Sequence, residues 1–202
     1  MTYDLKALAG KLEFNGWNVI IAADKAEAAR AVMELCRDKQ TIGIGDSHSV
    51  KECGIIEQLQ AAGKQVVGRA ISKEREEKLK AFGAEMFILS ANALAFESGE
   101  MVNTDSSGNR VAASLYGAPE VCFVVGKNKI TDDLASAILR VKNVAAPTNI
   151  RAHPTYKTPC AITGKCENCN TPDRICRATV IYHKRPKTHV GWIVLVNEDL
   201  GF

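Results

Sequence analysis

No apolar run in this sequence approaches the roughly 20 residues that a bilayer-spanning helix needs, which argues against a membrane protein. Nor is there an excess of one charge. The 26 Lys and Arg against 23 Asp and Glu leave +3 at pH 7, too little to indicate nucleic acid or an anionic membrane surface. The opening stretch MTYDLKALAGKLEFNG has charges spread through it and lacks the apolar centre of a secretory signal, so a cytoplasmic protein is expected. Internal repeats, low-complexity tracts and flavin or nicotinamide signatures are also missing.

What is there is an alternation of two periodicities over 202 residues, enough for one α/β domain with a sizeable core. The spacing of Leu5, Leu8, Ala9 and Leu12 predicts a helix over Thr2–Phe14, stopped by Asn15-Gly16. WNVIIAA is a strand. Asp24 and Glu27 cap a helix that carries Ala28, Ala29, Val32, Met33 and Cys36 on one face. Strand TIGIG, helix Ser49–Ala62, strand KQVVGR, helix Ser72–Phe82 and strand EMFILSANAL continue the pattern. An extended piece toward Asp105, helix Gly108–Gly117, strand PEVCFVVG and helix Thr131–Asn143, ended near Pro147, complete it. Such alternation predicts a Rossmann-like, three-layer α/β/α fold with a mostly parallel sheet, here from about Trp17 to Ala146. Pro147, Pro154, Pro159 and Pro172 mark residues 147–177 as an irregular, cysteine-rich metal-binding segment within the single domain 1–202. The chain closes with ATVIYH and VGWIVLV around the turn KRPKTH.

Polar residues gather where strands end, which is where open α/β sheets bind ligands. In IGIGDSHSVKE, a strand runs into Gly45, and Ser49 to Glu52 forms an S-x-x-E capping box opening the next helix. Its free N–H groups, with Ser47, His48 and Ser49, suit a phosphate or carboxylate, although glycine turns also serve tightness alone. SANAL, NTDSSGNR and GKNK add Asn92, Asp105, Asn109, Arg110, Asn128 and Lys129. These types either build turns or bind a small anion. In the binding reading, Asp105 is the catalytic acid or base, a turn carboxylate exposed at a cleft, and Lys129 and Arg110 offset the substrate's charge.

Four of the seven cysteines fall in CAITGKCENCNTPDRIC, spaced C-x5-C-x2-C-x6-C. Cytoplasmic thiols stay reduced, which favours a metal over disulfides. Cys160, Cys166, Cys169 and Cys176 all lie within one loop, whereas structural zinc usually uses two separated knuckles. A [4Fe–4S] cluster is therefore the first expectation, zinc the second, and disulfides or free thiols the third. Cys36, Cys53 and Cys122 sit on helix and strand patterns and read as buried small hydrophobes. His153, His183 and His189 have no partner at ligand spacing and read as surface or strand residues.

IGIGDSHSVKECGIIEQL, SANALAFESGEMVNTDSSGNRVAASLYGAPEVCFVVGKNKI, the cysteine run and the terminal VNEDLGF together resemble the LUD (lactate-utilisation) domain family. The likeness is to its stand-alone subgroup with a cysteine-rich C-terminal segment. It implies a fold similar to ribose-phosphate isomerases, glucosamine-phosphate deaminases and CoA transferases, and a link to iron–sulfur-dependent oxidation of lactate. Relatives tend to have Gly-Gly-Ser-x-Thr where this chain has Gly45-Asp46-Ser47-His48-Ser49. The Asp46 carboxylate at that turn allows a cationic, metal or acid–base role in place of phosphate binding.

Two functions follow. One is a metal-dependent enzyme acting on a small carboxylate or phosphorylated metabolite. The other is a non-catalytic iron–sulfur accessory, an electron-transfer or ligand-sensing subunit. A small anionic metabolite is the expected partner, with a homo-oligomer or redox partner beside it, and no nucleic acid or membrane.

Overall fold

The alternating runs fold as their periodicities require, and the computed structural model describes residues 3–202. Helix α1, Leu5–Phe14, starts at an Asp4 cap that accepts from the N–H groups of Lys6 and Ala7, and Thr2 lies outside the described residues. Strand β1, Asn18–Ala22, leads to α2, Lys25–Leu35. The cap is reciprocal, in a variant of the capping box: Asp24 accepts from Glu27 N, and Glu27 accepts from Ala23 N, one residue before the cap. Strand β2 is Thr41–Ile44. The helix expected over Ser49–Ala62 is two helices, α3 (His48–Glu52) and α4 (Ile55–Ala61), because Gly54 turns left-handed at φ 63° between them. Strand β3 (Gln65–Val67), α5 (Arg75–Lys80) and a 3₁₀ turn follow.

The run EMFILSANAL is not one strand. It is β4, Met86–Leu89, and β5, Ala93–Ala95, in two different sheets, with Ser90–Asn92 bending the chain from one to the other. Then come β6 (Met101–Asp105), α6 (Asn109–Tyr116), β7 (Glu120–Gly126) and β8 (Ile130–Thr131). Helix α7, Leu134–Arg140, does not stop near Pro147. It passes through a π-helical turn, Val141–Ala145, into α8, Ala146–Arg151. Widening the helix there accommodates a residue with no N–H and a ring that crowds the preceding turn. The irregular segment thus begins after Arg151, five residues into the expected one. It contains the short helix α9, Pro159–Thr163, before β9 (Ala178–Tyr182) and β10 (Val190–Val196).

The main sheet has six strands in the order β1-β10-β7-β4-β2-β3, every pairing parallel. Alternate residues of its central strands serve opposite faces. Met86, Ile88, Cys122 and Val124 pack with α2, α3 and α4, while Phe87, Leu89, Val121 and Phe123 pack with α1 and α6. The fold is therefore mixed α/β, with a Rossmann-like parallel sheet between helical layers. Cys36, Cys53 and Cys122 are buried in it. A second sheet is present that the periodicities do not announce. Its four strands run β8-β5-β6-β9, with Leu94 and Met101 facing the main core and Ala93 and Val102 facing α7. No described helix is long and apolar enough to cross a membrane.

β10 enters the middle of the main sheet under Trp17, whose ring meets Phe123 and Tyr182 edge-on. A Cβ on Gly191 would lie 2.5 Å from Trp17 Cε3 and 2.7 Å from Arg185 Cδ. Gly191→Ala should therefore destabilise the chain by about 1–3 kcal/mol through overpacking. Urea unfolding checks this, and an unchanged midpoint would show that the Trp17 ring has room to move.

Candidate functional site

The carboxyl ends of β2, β4, β6 and β7 all open on one cavity of about 320 Å³. Asp46, Ser47 and His48 reach it from the end of β2, Ser90 and Asn92 from β4, Asp105 from the last position of β6, Asn109 and Arg110 from the first turn of α6, and Lys129 from the end of β7. Asn149, Ile150 and His153 of the α8 region, Tyr156, Ile175, Cys176 and Phe202 close the opposite side. Ser47 and Asp105, from different parts of the sequence, face the same space.

The electrostatics of this cavity are mostly settled within it. Asp46 Oδ1 accepts from Lys51 Nζ at 2.6 Å, and Arg69 Nε lies 3.8 Å from Oδ2. Burial would raise the Asp46 carboxyl, but Lys51 and Arg69 carry it below its ordinary range. Asp105 is 4% exposed and is not an exposed turn carboxylate. It accepts from the backbone N–H of Arg110 at 2.8 Å and of Val111 at 3.0 Å, and from Arg110 Nε at 2.7 Å, with Nη2 at 2.6 Å. Its lone pairs thus cap α6 and hold Arg110, which makes it a positioning residue in this geometry. Arg110 is correspondingly not a free cation.

Other residues take places their local sequence did not announce. Gly45 donates its N–H to Ile88 O at 2.9 Å, so that group is not available to an anion. What its missing side chain permits is the approach of Arg110 Cγ, 3.1 Å from where a Cβ would stand. The helix cap is Ser47, which accepts from Val50 N at 3.4 Å, and not Ser49. α3 has five residues, and the Asp46 carboxylate stands at its mouth, where an anion at that helix end would meet a like charge. Asn128 lies outside the cavity. Its amide binds the carbonyls of Leu200 and Gly201 and accepts from Leu200 N, tying down the C-terminal segment. Asn92 is split between roles: its Oδ1 accepts from Thr104 N, bracing β6, while it lines the cavity. His153, which lacked a partner in the sequence, faces the cavity, with Nδ1 2.8 Å from Asn149 O. His189 is buried, 5% exposed, and not a surface residue, whereas His183 is exposed beside Glu100.

Lys129 is the exception in charge. It is 3% exposed and no carboxylate among the described residues pairs with it. Its Nζ donates to Ser49 Oγ at 2.8 Å and Ser90 Oγ at 3.0 Å. Burial first, then the charges of Arg140 and Arg110, pushes the amine down to about 7, and the opposing pull of Glu52 does not restore it. Among the described residues, Arg140 is itself bound only to carbonyls, Asn92 O at 2.6 Å and Asn128 O at 3.0 Å.

A second cavity of about 30 Å³ is lined by Cys160, Cys166, Cys169 and Cys176, with Lys142 and Arg174. Arg174 clasps the loop by donating to Cys169 O at 2.6 Å and Cys176 O at 2.8 Å. Asn168, left-handed at φ 48°, points its N–H at Cys166 Sγ, 3.4 Å away. Thr158 Oγ1 is 3.2 Å from Cys160 Sγ, and Thr171 Oγ1 is 3.9 Å from Cys169 Sγ. Among the described residues, no three His, Cys, Asp or Glu side chains form a set that could hold a single metal ion. The four thiols line a cavity instead.

A family model described as LUD domain matches residues 5–196. No curated protein matches the sequence. Among solved structures, the chain is similar to a DUF162 family protein from Deinococcus radiodurans whose crystal structure is at 1.70 Å resolution. Identity is 14%, 95% of each chain is covered, and the TM-score is 0.57, so this likeness speaks to the fold. With nearly its whole length matched, the chain belongs to the LUD domain family.

Proposed function

We propose that the chain acts on a small carboxylate or phosphorylated metabolite in the larger cavity, beside an iron–sulfur cluster held by Cys160, Cys166, Cys169 and Cys176, in lactate-type metabolism. The observation that carries this reading is a shared wall: Ala146, Ile150, Ile175 and Cys176 line both cavities. The donor set fits such a group. The sulfurs of Cys160, Cys166 and Cys169 have hydrogen-bonding groups directed at them, and Lys142 and Arg174 supply positive charge for a thiolate-ligated centre. Four ligands ringing a cavity suit a multi-iron body better than one tetrahedral zinc, which draws its sulfurs to a point. A bound cluster would supply electron transfer or a Lewis-acidic iron.

The chain's own residues would do the rest. Arg69, held by Asp46 only at 3.8 Å, is the freest guanidinium for an anionic group. Asn109 and Ser106 offer hydrogen bonds at the cavity rim, and Ile150 and Ile175 exclude water from the wall toward the cysteines. Lys129, the amine without a carboxylate, gives or takes a proton near neutral pH.

Protein prepared without oxygen should contain iron and acid-labile sulfide in matching amounts. Removing them by chelation should make the loop from Ala152 to Arg177 sensitive to protease, since Thr158 is its one buried residue among those described. One zinc per chain without sulfide overturns the cluster, and two disulfides overturn the metal altogether. The accessory reading draws on the partial exposure of all four cysteines, which leaves the cradle within reach of a redox partner. Turnover by the isolated protein decides between the two.

A further inference from the structure

We propose that Lys129 forms an imine with its ligand, so that the larger cavity takes a small 2-oxo acid or a related carbonyl-bearing anion. This rests on the reading of that cavity as the ligand site and names the chemistry its ligand must have.

The hydrogen-bond inventory around Nζ is that of a neutral amine. Ser49 Oγ donates its own proton to Leu200 O at 3.2 Å, and Ser90 Oγ donates to Ala91 O at 3.3 Å. Both hydroxyls are therefore left to accept from Lys129, at 2.8 and 3.0 Å. An –NH₂ group has two protons and one lone pair. The serines take both protons, and the lone pair is left for the cavity that the side chain lines. An ammonium would have a third proton with no acceptor among the described residues. Of the charges that act on the amine, Arg140 and Arg110 are cations and Glu52 is the one carboxylate, and none of them makes an ion pair with it among the described residues. A desolvated amine next to cations is the environment that activates lysine as a nucleophile.

In the step itself, Nζ adds to the carbonyl carbon and one of its protons passes to the carbonyl oxygen. The carbinolamine then loses water, which carries off the second proton, and leaves a C=N bond. Protonation of that imine would place a positive charge in a buried site, where the ligand's carboxylate offsets it. Arg69, which also lines the cavity, is the remaining cation for a second anionic group.

The test is reductive trapping. The protein as isolated is incubated with pyruvate, 2-oxobutyrate or 2-oxoglutarate and cyanoborohydride, and modified peptides are mapped by mass spectrometry. Ligand-observed NMR measures binding of the same acids separately, with lactate as a carboxylate that cannot form an imine. The expected result is one reduced adduct on Lys129, suppressed by excess lactate and missing in Lys129→Arg. Binding of the acids without an adduct overturns the imine and leaves the anion site standing. Adducts spread over exposed lysines such as Lys51 and Lys142 likewise overturn it. If neither the 2-oxo acids nor lactate bind, the cavity reading fails and the imine with it.

Discussion

A Lys129→Met chain should unfold at a higher denaturant concentration than the native chain at neutral and mildly acidic pH, while losing ligand binding. The native side chain is buried without a carboxylate, and its amine sits at about 7 in the folded state against 10.5 ordinarily. A folded value below the unfolded one means that folding releases a proton between those limits. The cost of burial is thus fully present below about pH 7, shrinks as pH rises, and is gone above about 10.5. Each pH unit between the two is worth about 1.4 kcal/mol, so the cost at neutral pH is on the order of a few kcal/mol. Methionine has similar length and no charge, and Ser49 and Ser90 keep their carbonyl partners. Native stability should climb from neutral toward alkaline pH, and that slope should be flatter in the variant. Urea unfolding of both chains at about pH 6 and about pH 9 measures it. A variant no more stable than the native chain at the lower pH would mean that Lys129 is paired in solution.

Asp105→Asn is expected to be the most damaging conservative change at the site, and to act on the fold before any chemistry. The carboxylate caps α6 through two backbone N–H groups and holds Arg110 at 2.6 Å, all at 4% exposure. Removing its charge leaves a guanidinium whose side chain is 17% exposed without its counterion. Breaking one side of such a pair costs about 3–5 kcal/mol, or roughly 10 °C of melting temperature in a chain of this size. Thermal unfolding tests it directly. A variant that melts like the native chain yet has lost turnover would restore Asp105 to the acid–base role its sequence position suggested.

How far the sequence could be read differs from element to element. The reciprocal cap at Asp24 and Glu27 is visible because it depends on residues three apart on one helix. The similar pattern at Ser49 and Glu52 was misleading. Ser49 is instead occupied by Lys129 and Leu200, 80 and 151 positions away, and Glu52 accepts from Gly201 N. Pro147 read as a helix end because its cost is local, and the π-helical turn that absorbs it has no clear signal in the residues themselves. His153 and Tyr156 were invisible as site residues, since it is the path of α8 that carries them back over the cavity.

By itself the sequence determined the parallel α/β alternation, the polar clusters at strand ends and the four-cysteine spacing. Each of these depends on side-chain periodicity, turn chemistry or neighbours within a few positions. The tertiary structure alone decided that β5, β6, β8 and β9 form a second sheet and that the cysteine cradle shares a wall with the larger cavity. It also decided which charges are neutralised. Asp105 and Lys129 look equally reactive in the chain, but one is enclosed by donors and the other is buried with no acid among the described residues paired to it. Burial and pairing depend on what long-range packing brings alongside a group, and that is not encoded in its immediate neighbours.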